Sequence, residues 1–398
     1  MGRIRDALLE IAAERGYANI TVREITSAAG VSTRSFYKHF PSKEACLFGV
    51  HQLVVQRVLR SIEDASRVAQ SGDRRLPLIV AAIVEEWASD PRAARLMLID
   101  AYAAGPLALK RARLATRSLE ARIGECLDYA PGPADLAPLA AEGIVAGIFT
   151  ATRSCILRGK DDLSDIAEPL GRWAAAYHDL RVKQIEDALR LPPLIPTSDG
   201  TSAPLDDSER GAVAEGDRAL LLAAAARLVA SRGQAELGLE EIASTAGIPR
   251  RGFEAEFSDL EACLAAAHRL QADRAIDRVE RAEKRHGHSG GASAVVASLG
   301  VQRTTDPALA ALCFSDVALS GPQLLRSHQR FMTRVAGLIT DTPPASVGVG
   351  AEASAGALWR RLRRRVVMGR KTQVPEIVSS LASLASPPSR AEASRLSA

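Results

Sequence analysis

The sequence predicts an all-α protein built from two tandem copies of one helical unit. Three observations carry that expectation. Apolar residues recur at helical spacing between recognisable helix caps, and no strand-period segment of comparable strength appears elsewhere. Residues 14–47 align without a gap to residues 231–264 at an offset of 217, with 15 of 34 positions identical, including Gly30/Gly247, Phe36/Phe253, Phe40/Phe257 and the runs 44–47 and 261–264. The similarity resumes between residues 90–106 and 306–322, and again between 142–159 and 352–369, so whole units of about 200 residues are repeated. Two long copies describe a duplication, not a solenoid.

Taken in order, Ile4, Leu8, Ile11 and Ala12 share one face of a first helix, which Gly16 stops. Thr21-Val-Arg-Glu24 has the spacing of a capping box and opens a second helix that runs to Gly30, where glycine supplies the terminating turn. A third helix begins at Ser32 or Thr33 and ends before Pro41, and Ser42 caps a long fourth helix reaching about Arg67. Two short helices around a tight glycine-bearing turn, backed by a long helix, form a helix-turn-helix plan. The expected organisation is a helix-turn-helix domain over 1–48, a helical body over 49–190, a Pro/Ser/Gly/Asp-rich linker over 191–216, a degenerate helix-turn-helix over 217–265, a second body over 266–386 and a disordered tail over 387–398.

The chain has 398 residues, 47% of them hydrophobic, which is enough for several cores and excludes disorder as the dominant state. No run approaches the ~18 uninterrupted apolar residues of a membrane span, and the opening MGRIRDALLE carries charges where a secretory signal has its apolar stretch; a soluble cytoplasmic protein without membrane partners is expected. Cys46, Cys126, Cys155, Cys263 and Cys313 form no C-x-x-C pair and read as small buried hydrophobes. No metal or cofactor motif is present: His286 and His288 lie in the glycine-bearing stretch RHGHSGG and read as loop residues. No nucleophile motif, phosphate loop or acid/base pair supports an enzyme.

The run from Thr21 to Glu44, TVREITSAAGVSTRSFYKHFPSKE, with the pattern G-V-S-x-x-x-F-Y-x-H-F-x-x-K-E-x-x-L over Gly30–Leu47, resembles the DNA-binding segment of the TetR/AcrR family of bacterial transcriptional regulators. The resemblance is close in the first copy, loose in the second, and limited in the bodies to length and helical character. It implies two tandem TetR-like units, each a three-helix DNA-binding domain followed by a ligand-binding and dimerisation body. It also implies double-stranded operator DNA as partner, release by a small-molecule effector in a pocket of the body, and homodimers joined through a four-helix bundle.

The residues fit that chemistry independently. Thr33, Arg34, Ser35, Lys38 and His39 present short polar and basic groups on the exposed face of the third helix, as a helix entering the major groove requires, while Phe36 and Phe40 anchor the opposite face. Tyr37 offers a hydroxyl to a phosphate, and Thr21 and Arg23 stand at the start of the second helix. Lys43 opposes the dipole of the helix it begins, which a phosphate contact would explain. Taken singly, each cation fits an ordinary solvated charge and His39 a packed histidine; their arrangement in one motif points to DNA.

The second copy keeps Phe253 and Phe257 but replaces the intervening Tyr-Lys-His with Glu254-Ala255-Glu256, and Lys43 with Leu260. Residues 1–60 carry nine basic and five acidic side chains, whereas 218–277 carry seven and nine, so counterion release favours only the first head. Arg250 and Arg251 leave room for some phosphate contact there.

For a largely apolar effector, Trp87, Met97, Tyr102, Phe149, Trp173 and Tyr177 are candidate pocket residues, each of which also fits plain core packing. Arg360–Arg365 lies in a predicted helix matching Phe149–Cys155 and suits either an ion-paired face or an acidic ligand or partner. The linker spans roughly 25–30 Å as a coil, enough for the two bodies to pair within one chain as a pseudo-dimer; an ordinary homodimer is the alternative assembly. The expected function is a ligand-responsive repressor. The competing reading is a ligand- or partner-binding helical scaffold that has lost specific DNA binding.

Overall fold

In the computed structural model the described residues are 2–69, 74–127, 136–160, 162–176, 216–232, 237–286, 299, 306–314 and 321–368. The expected linker, apart from Gly216, and the expected tail lie outside them. All regular elements among the described residues are helical.

The first three-helix unit comprises α1 (Gly2–Arg15), α2 (Val22–Ala28) and α3 (Thr33–His39), with α4 (Lys43–Val68) behind them. The anticipated caps are formed. Thr21 and Glu24 make a reciprocal capping box, in which the Thr21 amide donates to Glu24 Oε2 (2.8 Å) and the Glu24 amide to Thr21 Oγ1 (3.3 Å). Ser32 and Ser42 accept from the amides of Ser35 and Ala45, each at 3.1 Å, and so start α3 and α4. Gly30 takes φ 60°, a left-handed conformation suited to glycine, in the turn between α2 and α3. Leu8, Ile25, Phe36 and Leu47 are fully buried where the four helices meet.

The second unit follows the same plan in α11 (Asp217–Arg232), α12 (Leu239–Ala246), α13 (Arg250–Glu256) and α14 (Leu260–His286). The starts of α12, α13 and α14 lie 217 residues after those of α2, α3 and α4. Its caps are poorer: Gly238 and Pro249 replace Thr21 and Ser32 and make no side-chain cap, whereas Asp259 still caps α14 through the Ala262 amide at 2.7 Å. His286 ends α14 and is not a loop residue; His288 lies outside the described residues.

The first body contains α5 (Arg75–Ser89), then a continuous helical stretch of α6 (Pro91–Arg95), a π-helical turn (Leu96–Asp100) and α7 (Ala101–Ala103). It continues through α8 (Pro106–Cys126), α9 (Leu136–Leu157) and α10 (167–176). The second contains α15 (Pro307–Cys313), α16 (Pro322–Thr340) and α17 (Val349–Met368). Asp90 caps α6 as Asp306 caps α15, and Gly-Pro opens both α8 and α16. All five cysteines are buried and free.

The two bodies meet through α9 and α17, which occupy corresponding places in the repeat and pack antiparallel. Small residues permit the approach. A β-carbon on Gly356 would lie 2.7 Å from the Ala146 carbonyl oxygen, and one on Gly147 would lie 2.9 Å from that of Ala353. Glu352, fully buried, accepts from Ser154 Oγ (2.5 Å) and from both terminal nitrogens of Arg158 (2.8 and 3.0 Å). At the other end Arg360 pairs with Glu142 at 3.9 Å and with Glu120 at 2.6 Å. Trp173 of α10 donates to Ser354 Oγ at 3.0 Å.

The segment Ala140–Leu157 has the length and mean hydropathy (1.3) of a membrane span, but 78% of it is buried inside the fold. Its apolarity follows from packing on both sides, against its own body and against α17.

Replacing Glu352 with alanine strands Ser154 and the Arg158 guanidinium at this seam. Because Arg158 is partly exposed, the expected loss is about 2–3 kcal/mol of unfolding free energy in urea, at the low end for a broken buried ion pair. A Glu352→Ala protein as stable as the parent would contradict the importance assigned to this seam.

Candidate nucleic-acid interface

The capped turn between α2 and α3 presents Thr33, Arg34, Tyr37, Lys38 and His39 to solvent, with Ser35 half-buried. Phe36 and Phe40, 5.7 Å apart between ring centres, fix the opposite face in the core. Tyr37 stands 53% exposed with its ring edge-on to Phe36 (5.5 Å), so its hydroxyl projects from a rigid base. Arg23, Arg34 and Lys38 are in no ion pair among the described residues. Uncompensated cations on one helix face favour a polyanion, because their pairing is deferred until it arrives.

Two candidates are used differently. Thr21 commits its hydroxyl to the capping box, where it also donates to Glu24 Oε2 at 2.7 Å; Arg15 adds a bond to the same carboxylate (2.6 Å), and together these hold Glu24 down at about 2. Lys43 turns inward. Its ammonium donates to the carbonyls of Ile20 (2.8 Å) and Tyr17 (3.3 Å) and lies 4.4 Å above the Tyr17 ring. The unfavourable position of this lysine against the α4 dipole is therefore offset internally in the DNA-free structure, where its ammonium also positions the turn at Tyr17.

The second head has the opposite electrostatics. Arg250 donates to Glu254 (2.7 Å) and Glu240 (3.0 Å), and Arg218 reaches Glu256 (3.4 Å) while covering the Phe257 ring. Glu240 stands where the first copy has Arg23. Arg251 alone of the two α13 arginines is exposed without an ion pair among the described residues.

The first head is attached to its body through a buried carboxylate. Asp100, in the π-helical turn, accepts from the Tyr17 amide at 3.3 Å and faces Arg95 at 3.7 Å. Burial pushes its carboxyl up to about 6, against the lowering pulls of Arg95 and the Tyr17 amide.

The aromatic candidates separate. Trp87 and Met97 are 1% and 2% exposed and belong to the core, Trp87 edge-on to Phe149 at 5.7 Å. Trp173 sits in the seam between the bodies, and Tyr177 lies outside the described residues. Tyr102 and Phe149 do border a narrow cleft of about 50 Å³, together with Arg113, Glu120 and Arg153 and with Trp359, Arg360 and Arg363 of the second copy. Arg113, Glu120 and Arg153 carried no sequence signal of their own, although Arg153 occupies the repeat position of Arg363.

Two outcomes follow for the first head. Lys43→Met should lower stability by about 1–2 kcal/mol through its two lost carbonyl bonds, whereas Lys38→Met should change it by less than about 0.5 kcal/mol, both read from urea unfolding. Folded Asp100 keeps its proton to about pH 6, whereas the unfolded group releases it near 3.8. The folded state then binds more protons in that window, and stability falls as pH rises through it, by up to about 3 kcal/mol. Asp100→Asn keeps the acceptor for Tyr17, so its stability profile between pH 4 and 6 should be flatter than the parent's; identical profiles would refute the assignment.

Residues 4–50 match the family model for bacterial regulatory proteins of the tetR family. The HTH-type transcriptional activator FasR of Mycolicibacterium smegmatis is 27% identical over 146 residues, 36% of this chain and 67% of that protein. Among solved structures, the fatty acid degradation regulator FadR from Bacillus halodurans is 20% identical, with a TM-score of 0.41 over 44% of this chain and 93% of its own. FadR from Bacillus subtilis, solved with stearoyl-CoA, is 18% identical, with a TM-score of 0.39 over 44% of this chain and 97% of its own. The residues that match the tetR-family model span the first three helices and the start of the fourth.

Proposed function

We propose that the chain is an effector-responsive transcriptional regulator that reads operator DNA through α3 of its first unit and is paired internally, body to body, as a pseudo-dimer. One observation carries the reading: among the described residues Arg23, Arg34 and Lys38 are in no ion pair on one head, while the corresponding face of the other neutralises Arg250 with Glu240 and Glu254. A scaffold that had abandoned DNA would have no electrostatic reason to keep the first set uncompensated. Arg34, Tyr37, Lys38 and His39, with Thr33 and Ser35, are assigned to the groove; Arg23 and the exposed start of α2 at Thr21 are assigned to the phosphate backbone.

The antiparallel seam of α9 and α17 supports the pseudo-dimer. Corresponding helices of two copies meeting face to face is the arrangement a two-fold interface requires, here between halves of one chain. One competent and one self-paired head suit an asymmetric site. An operator overlapping a promoter would make the protein a repressor, the sign proposed here; activation, the sign in the name of FasR, is the contrary outcome of a promoter-reporter assay.

The test is salt-dependent binding of the full chain to DNA from its own upstream region. Wild type should bind specifically. Arg34→Ala/Lys38→Ala should lose most affinity and flatten the log K against log salt slope by about 1 per phosphate contact removed, and Glu254→Ala/Glu256→Ala should leave specificity unchanged. Binding without sequence preference at any salt would move the function to the scaffold reading. Sedimentation of the DNA-free protein at the 42.3 kDa of one chain supports the internal pair, and twice that mass places pairing between chains.

A further inference from the structure

Beyond the helix-turn-helix, the first unit has a second basic surface, at the start of α8. Residues 106–119 hold Lys110, Arg111, Arg113 and Arg117 and no acidic side chain. Lys110 and Arg111 are exposed and in no ion pair among the described residues. Both stand in the second turn of α8, so the positive end of the helix offers them no compensation. No side chain among the described residues accepts from the first amides of that helix, which adds further donors at the same end.

This end of α8 adjoins the first head. α8 lies along α4 in the same direction: the Arg111 guanidinium sits 4.5 Å from the centre of the Phe48 ring, and farther on Arg122 meets Glu63 at 2.8 Å. Phe48 lies roughly 7–8 Å along the α4 axis from Lys43. Its neighbour Gly49 underlies the Phe40 ring that closes α3; a β-carbon there would lie 3.2 Å from that ring. Arg111 is thus held near the end of the reading helix by an aromatic face and by no carboxylate among the described residues.

The second copy has the same helix start in a closed form. Gly321-Pro322 matches Gly105-Pro106 at an offset of 216, and there Glu261 of α14 accepts from the Gln323 and Leu324 amides. Arg326 stands at the Lys110 position, whereas the Arg111 position is Ser327, buried and hydrogen-bonded to His268 Nδ1 at 2.8 Å. In the first copy Glu44, the counterpart of Glu261, is exposed and lies near Tyr17, whose phenol is pushed up by burial and then by Glu44. The place that a carboxylate fills in the second copy is open in the first.

We propose that the start of α8 is a second DNA contact, in which Lys110 and Arg111 hold the phosphate backbone beside the groove that α3 reads. A duplex seated on α3 carries phosphate strands along both edges of its major groove, and the corner formed by the end of α3, α4 and α8 adjoins one of them. The inference rests on the operator reading of the first head and extends it to the body. Because α8 belongs to the body, the contact ties operator affinity to how the head is seated against it.

The test is salt-dependent binding of the full chain to DNA from its own upstream region. Lys110→Gln/Arg111→Gln should weaken binding about fivefold or more at low salt and flatten the log K against log salt slope by about 1–2, with base preference unchanged. Lys110→Gln alone should flatten it by about 1, which separates the effect from any loss of the Arg111–Phe48 stack. Arg117, exposed, in no ion pair among the described residues and about 9 Å farther along α8 than Arg111, is the control, and Arg117→Gln should change neither quantity. Ethylation of one or two phosphates beside the α3 contacts should block wild-type binding and cease to matter in the double variant. An unchanged slope in the double variant with specific binding intact overturns this contact and leaves the operator reading standing. An equal loss in Arg117→Gln reduces the effect to net charge and overturns it as well. If wild type binds without base preference and the slope still flattens in the double variant, the operator reading falls and the polyanion surface stands. Absence of binding to any duplex removes both.

Discussion

The rest of the structure depends on the close antiparallel contact of α9 with α17. Gly147 and Gly356 bring the two backbones together, and Glu352 is enclosed between Ser154 and Arg158 as a consequence. A charge buried in this way is tolerated only with its hydrogen bonds complete, which makes the seam specific as well as tight. The same contact explains why α9 is apolar enough to resemble a membrane span, and why Phe149 and Trp359 come to border one cleft.

The two similar halves of this chain are not bound by strict symmetry. Two identical subunits must carry the same residue on both sides of a two-fold axis, whereas here α3 carries Arg34 and Lys38 and α13 carries Glu254 and Glu256. The second three-helix unit buries Phe253 and Phe257 in its core and lacks two of the three polar caps of the first.

Between the first three-helix unit and the body, short polar linkages are set within a continuous apolar core. Lys43 ties the start of α4 to the turn at Tyr17, and the amide of that tyrosine docks on Asp100. The first unit is thus joined to the body by directional bonds to a buried carboxylate and by the packing of α1 on α6 and on the π-helical turn.

Helix positions, the caps at Thr21, Ser32 and Ser42, the 217-residue repeat and the exposed set from Thr33 to His39 were all legible in the sequence, because each depends on neighbours within a few residues or on periodicity along the chain. The inward turn of Lys43 was not: its partners are carbonyls 23 and 26 residues away, and a carbonyl acceptor exists at every position and leaves no mark in a sequence. Nor were Arg153 and Arg113, or the assignment of Trp87 and Met97 to core and of Tyr102 and Phe149 to a cleft, since aromatic residues at helical spacing satisfy both roles. The sequence determined what the local segments are. Only the tertiary structure decided which of their side chains stay exposed, which turn inward and which face each other across the seam, because those choices depend on contacts made as much as 240 positions apart, as between Glu120 and Arg360.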